Sequence, residues 1–201
     1  MRRSTPELSA FLVIDQATVS GVAAAGYDQG RMHTLYSGTA NKAEHRLASV
    51  WRALQLAGCR CIVLRLDIPG YPIPCTCGAA KRIAVLFEDH GGIPAGKGIG
   101  TPQLLGMGAA RGRWEETLAY VGHPEKMRFK VAMHVWRGAI LGKSFSRAKK
   151  EIVKPEAVRW AEARTGRRDV SDDEAEALCM LHWAVDNIPQ SISGVQRGLG
   201  F

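Results

Sequence analysis

Asp15, Glu88, Asp173 and Glu176 are spread over nearly the whole chain, yet each stands at the edge of an expected strand or helix, where a carboxylate can face a metal ion. Asp15 ends the apolar run Ala10-Phe11-Leu12-Val13-Ile14, and Glu88 ends Ile83-Ala84-Val85-Leu86-Phe87. Asp173 and Glu176, at i and i+3 near the start of an expected helix, share a face. Hard cations such as Mg²⁺ prefer carboxylate oxygens, and two such ions clamped by carboxylates are a standard means of cleaving phosphodiesters. The pattern suggests a Mg²⁺-dependent nuclease.

Two of the acids have rivals. Asp67 also ends a buried-looking run and competes with Glu88, while Asp172, at i and i+4 to Glu176, competes with Asp173. Ser171-Asp172-Asp173-Glu174 reads as a capping box, with Ser171 at the N-cap and Glu174 at N3, and the helix dipole favours acids there. That accounts for Glu174 and could account for Asp172 and Asp173. It does not account for Glu176, set among Ala175, Ala177 and Leu178, where a buried carboxylate needs a partner.

The elements that must carry these residues follow from periodicity. Strands are expected at 10–16, 20–28 and 31–38, with Asp28-Gln29-Gly30 as the hairpin turn between the second and third. Asn41 caps a helix to about Ala57 that aligns Leu47, Val50, Trp51 and Leu54, and Gly58 ends it. Strand-like runs follow at Ile62–Leu66 and Ile83–Glu88, around a proline-containing inserted loop. Beyond a glycine loop at Gly91–Gly100, Thr101 caps a helix to about Val121, with Pro102 as its first residue. A strand at Met127–Met133, a short helix at His134–Leu141, a basic helix within Ser146–Arg164 interrupted near Pro155, and a helix from Asp172 to about Asn187, before Pro189, complete the chain. Residues 1–190 are read as a single α/β domain with an insertion at about 59–80, and 191–201 as a flexible tail.

The 201 residues carry 27 Lys and Arg against 19 Asp and Glu, a net charge of +8, which favours an anionic partner such as nucleic acid. No apolar run approaches the roughly 20 residues that span a bilayer, and the N-terminus lacks the pattern of a signal peptide. A cytoplasmic protein with reduced thiols is expected. Cys59-x-Cys61 and Cys75-x-Cys77 supply enough sulfur for a tetrahedral structural Zn²⁺ site, although the usual spacing is Cys-x-x-Cys; unligated thiols are the other reading. Cys179 reads as a small core residue. Gly91-Gly92-Ile93-Pro94-Ala95-Gly96-Lys97 fits the first part of a phosphate-binding loop, but Gly98 stands where Ser or Thr is needed. It reads better as a loop approaching DNA, with Lys97 on a phosphate.

The joint order of these features resembles the RuvC-type Holliday junction resolvases of the RNase H-like superfamily, particularly the shorter members carried by phages. Phe11-Leu12-Val13-Ile14-Asp15-Gln16-Ala17-Thr18-x-x-Gly21 looks like the family's opening strand and metal-binding Asp. Leu86-Phe87-Glu88-Asp89-His90 looks like the strand with the second carboxylate, and Leu105-Gly106-Met107-Gly108-Ala109-Ala110-Arg111-Gly112 like the next helix. Val135-Trp136-Arg137 through Leu141-Gly142-Lys143, then Lys149-Lys150-Glu151, resemble its basic segment, and Asp173-Glu174-Ala175-Glu176-Ala177-Leu178 its closing helix. Three features depart from the pattern. Glu176 stands where Asp is usual, the segment from Gly58 to Arg82 is longer, and His90-Gly91-Gly92-Ile93 lacks the aromatic wedge of bacterial members, leaving Ile93 or His90 to distort the junction.

The resemblance implies an RNase H-like mixed sheet, three antiparallel leading strands and then parallel strands, flanked by helices. It implies a homodimer that cuts four-way DNA symmetrically, in host cytoplasm if phage-encoded, leaving 5′-phosphate ends. Two Mg²⁺ per site, with Mn²⁺ able to substitute, would be held by Asp15, Glu88, Asp173 and Glu176. Arg137 and Lys150 would lie near the scissile phosphate, and Lys143 and Lys149 would contact DNA. The helix at 102–121 is the expected dimer interface. A looser flap or branched-DNA nuclease and a noncatalytic DNA-binding module are the alternatives.

Overall fold

The computed structural model describes residues 7–17, 19–61, 75–89 and 101–192, with side chains in the last segment over 105–189. Strands β1 (Ala10–Asp15), β2 (Ser20–Asp28), β3 (Arg31–Ala40), β4 (Ile83–Asp89) and β5 (Arg128–Ala132) form one sheet in the order β3-β2-β1-β4-β5. The first three pair antiparallel, while β4 runs parallel to β1 and β5 parallel to β4. This is the expected mixed sheet, three antiparallel leading strands and then parallel strands. The β2–β3 hairpin closes through Gln29 and Gly30, both at positive φ, which is the backbone a two-residue turn needs to match the strands' twist.

Helices α1 (Ala43–Leu56) and α2 (Thr101–Tyr120) cover one face, and α3 (Met133–Ile140), α4 (Lys150–Thr165) and α5 (Asp172–Ile192) the other. Because alternate strand residues point to opposite faces, β1 sends Ala10, Leu12 and Ile14 toward α1 and α2, and Phe11 and Val13 toward α5. In β4 the same split gives Ile83, Val85 and Phe87 to the first face and Ala84 and Leu86 to the second. All ten are buried, which explains the unbroken apolar runs: a central parallel pair has no solvent side. Carried one residue further, the alternation turns both Asp15 and Glu88 toward α5. The parallel register, ending with Ile14 opposite Phe87, sets them side by side.

Several boundaries differ from those expected. Strand β3 runs on to Ala40, so α1 starts at Ala43 and Lys42, without a side-chain cap, takes the position expected for Asn41. Helix α4, expected within Ser146–Arg164, starts at Lys150 and is continuous through Pro155, and α5 continues through Pro189. A proline removes one ladder bond. Buried Val153 and Ala157 around Pro155 lie on α4, which packs against α5, and buried Ala184 and Ile188 before Pro189 lie on α5, which packs on the sheet. Asp67, the Ile62–Leu66 run, His90, the glycine loop with Ile93 and Lys97, and most of the tail lie outside the described residues.

Gly21, opposite Asp15 in the β1–β2 pair, faces the first turn of α5. A Cβ there would lie 1.8 Å from the Asp173 carbonyl oxygen, a backbone atom. Gly21→Ala is therefore expected to cost at least about 1–3 kcal/mol of overpacking. Gly112→Ala, on α2 with nothing within reach of an added Cβ, should instead gain up to about 1 kcal/mol from helix propensity. Urea unfolding of both variants checks the pair, and equal stabilities would show that the close approach constrains nothing.

Candidate metal centre

Three elements converge on one spot. Asp15 comes from the end of β1, and Asp173 and Glu176 from the first turns of α5; each offers a carboxylate oxygen, all within 4.8 Å of one another. Glu88, at the end of β4, stands beside them, close enough to exchange a hydrogen bond with Asp15. Asp15, Glu88 and Glu176 are buried. Of Asp172 and Asp173, the carboxylate group includes Asp173.

Burial of like charges shows in their titration. Asp15 is raised well above the usual carboxylate range, first by burial and then by Glu88, Glu176 and Asp173, with Lys154 opposing. Glu88 is pushed up to about 7, chiefly by burial, although the Trp136 indole N–H donates to its Oε1 at 2.8 Å and favours the ionised form. Two cations lie against the group. Arg137 Nη2 donates to Glu176 Oε1 at 2.6 Å, and both side chains are only 7% exposed. Lys154 Nζ donates to Asp173 Oδ1 at 2.8 Å and also to Asp172. Burial opposes the charge on Lys154, but the bonds to Asp172 and Asp173 hold its pKa above the ordinary lysine value; the same contact lowers that of Asp172.

Lys154, rather than Lys150, therefore touches the carboxylates. Lys150 is exposed in the first turn of α4 and acts at a distance, through its charge on Asp172. One helical turn separates them, and i, i+4 spacing was the available signal for Lys154. Trp136 as the partner of Glu88 and Gly21 as the gap for α5 carried no sequence signal of their own. Lys143 and Lys149 are exposed, as is Arg147 between them, so a basic rim leads to the first turn of α4.

The capping box is half formed. Ser171 Oγ accepts the Glu174 N–H at 3.3 Å, but the Glu174 carboxylate turns away to accept from Ser37 Oγ at 2.6 Å and Arg167 Nη1 at 2.5 Å. It thereby fastens the start of α5 to the edge strand β3.

The donor set fits a hard divalent cation. Every candidate ligand is a carboxylate oxygen, and Arg137 and Lys154 cannot neutralise four ionised acids. Gln16, which follows Asp15, donates its Nε2 to the Glu88 backbone carbonyl at 2.5 Å, and its buried Oε1 accepts no hydrogen bond. Away from this centre, Cys59, Cys61, Cys75 and Cys77 bring four sulfurs within 4.8 Å of one another.

No protein-family model matches the chain, and no curated protein does. Among solved structures it is similar to the Thermus thermophilus RuvC structure, at 15% identity and a TM-score of 0.45 over 92% of this chain and 97% of that one. The likeness assigns no role to any residue. No helix among the described residues is long and apolar enough to cross a membrane.

The raised Glu88 gives a pH signature. Its folded value of about 7 exceeds the ordinary 4.5, so its contribution to stability is full below about 4.5 and is lost as pH rises through about 7. In the absence of divalent cations, Tm is expected to fall over that window, and Mg²⁺ to raise Tm more at the alkaline end than at the acid end. Glu88→Gln should make the profile shallower, leaving the part due to Asp15. Differential scanning calorimetry with and without Mg²⁺ measures this, and a Tm indifferent to both pH and cation would rule it out.

Proposed function

We propose that the chain is a divalent-metal-dependent endonuclease that resolves four-way DNA junctions as a homodimer. The observation that carries this reading is the crowding of Asp15, Glu88, Asp173 and Glu176 where the central strands end, beside an exposed basic rim. Asp15, Asp173 and Glu176, with Glu88, would hold Mg²⁺ or Mn²⁺. When bound, such ions activate water and stabilise the leaving 3′ oxygen of a phosphodiester.

The protein's own groups have separate tasks. Trp136 fixes the Glu88 carboxylate by its indole N–H, and Arg137 orients Glu176. Lys154 holds Asp173 and supplies positive charge near the position a scissile phosphate would take. Lys143, Lys149 and Lys150 are free of the carboxylate group and suited to backbone phosphates, which position DNA without reading its sequence. Symmetric cuts require two sites related by a two-fold axis, hence the dimer. Helix α2, which exposes Leu105, remains the expected contact.

Asp15→Asn and Glu176→Gln are each expected to lower cleavage of a four-way junction in Mg²⁺ by at least about a hundredfold while leaving junction binding intact. Lys154→Met should also impair cleavage. Gel assays on junction, flap and linear duplex make the test. Preference for the junction supports the resolvase reading, equal cutting of flaps favours a looser branched-DNA nuclease, wild-type rates in both acid variants would overturn the metal-site reading, and binding without cleavage of any substrate by the unaltered protein would leave a noncatalytic DNA-binding module.

A further inference from the structure

We infer that Cys59, Cys61, Cys75 and Cys77 hold a structural Zn²⁺ as a tetrathiolate, at the end of the sheet opposite the carboxylates. The sulfurs of Cys59 and Cys75 lie 3.5 Å apart, those of Cys75 and Cys77 3.5 Å, and those of Cys77 and Cys59 3.4 Å. Zn–S bonds of about 2.3 Å in a tetrahedron require S–S edges of about 3.8 Å, so an ion needs these three sulfurs to spread by only a few tenths of an ångström, with Cys61 Sγ within 4.8 Å of each. A disulfide would need about 2.05 Å, and all four cysteines are free.

The surroundings suit thiolates. The Cys77 N–H donates to Cys61 Sγ at 3.0 Å, and backbone N–H groups of Ala79 and Arg60 reach Cys77 Sγ. Cysteines kept as packing residues are buried among apolar groups, as Cys179 is, whereas Cys77 is exposed. Donation of N–H groups to metal-bound ligands is a recurrent supporting arrangement.

Position in the fold gives the site its task. Cys59 and Cys61 follow α1, and Cys75 and Cys77 precede the turn at Ala79–Arg82 that feeds β4. The Cys75 N–H donates to the Val121 carbonyl at 3.2 Å, just past α2. Arg82 Nη2 donates to the Ala57 carbonyl at 2.7 Å. One ion there fastens the ends of both helices on this face to the entry of a central strand. The chain between Cys61 and Cys75 leaves and returns through the same clamp.

The test is metal content of the full-length chain produced in zinc-supplemented medium. About one zinc per chain is expected, retained in Asp15→Asn and Cys179→Ser and lost from a Cys61→Ser, Cys77→Ser double variant. No stoichiometric zinc, or zinc retained by the double variant, overturns the inference. Wild-type protein gives a second readout that no folding defect can confuse. Cys77 should react with a maleimide only after a strong zinc chelator is added, and immediate labelling in the native protein overturns the site. Neither readout depends on nuclease activity.

Discussion

The whole arrangement depends on how closely α5 can lie against β2. Gly21 presents no side chain at the point where the Asp173 carbonyl passes, and any Cβ would meet it well inside contact distance. Since Gly21 is paired with Asp15, the same gap that admits the helix brings its two acids to the strand's carboxylate. Packing of Ala175, Leu178, Cys179 and Leu181 then holds the helix there over the sheet. Apolar burial thus supplies the force that keeps mutually repelling groups together, each large side chain contributing roughly 1.5–3 kcal/mol.

Repulsion of that kind is tolerable only with cations nearby, and their placement is economical. Arg137 and Trp136 are consecutive on α3, one bonded to Glu176 and the other to Glu88. A single short helix therefore addresses acids from two elements. Lys154 approaches from α4 and spans Asp172 and Asp173. Breaking a buried pair leaves an uncompensated charge and costs more than the pair itself contributes, so the three helices on this face are bound to one another through the acids as well as through their apolar sides.

Much of this was legible in the sequence. The five strands and five α-helices among the described residues follow from period-two and helical patterning, and the unbroken apolar runs of β1 and β4 announced strands buried on both faces. Asp15, Asp173 and Glu176 were readable because each follows or interrupts such a pattern. Trp136 and Gly21 were not, because their significance arises from contacts between elements distant in sequence, and Lys154 offered only its i, i+4 spacing from Lys150. The two prolines misled for a related reason. Local propensity argued for breaks at Pro155 and Pro189, but buried neighbours outweigh one lost hydrogen bond each.

The pairing of β1 with β4 has a further consequence for fidelity. Side chains alternate strictly along a strand, so a slip of one residue would turn Glu88 away from α5 and bring Phe87 or Asp89 to that face. The same slip would expose Ala84 and Leu86 to the wrong layer and strand Val85 among the wrong neighbours. A misregistered sheet is thus penalised by its greasy interior before any chemistry is attempted. Selection for a sound core and selection for a correctly assembled acid cluster act on one and the same alignment, and neither can drift without the other.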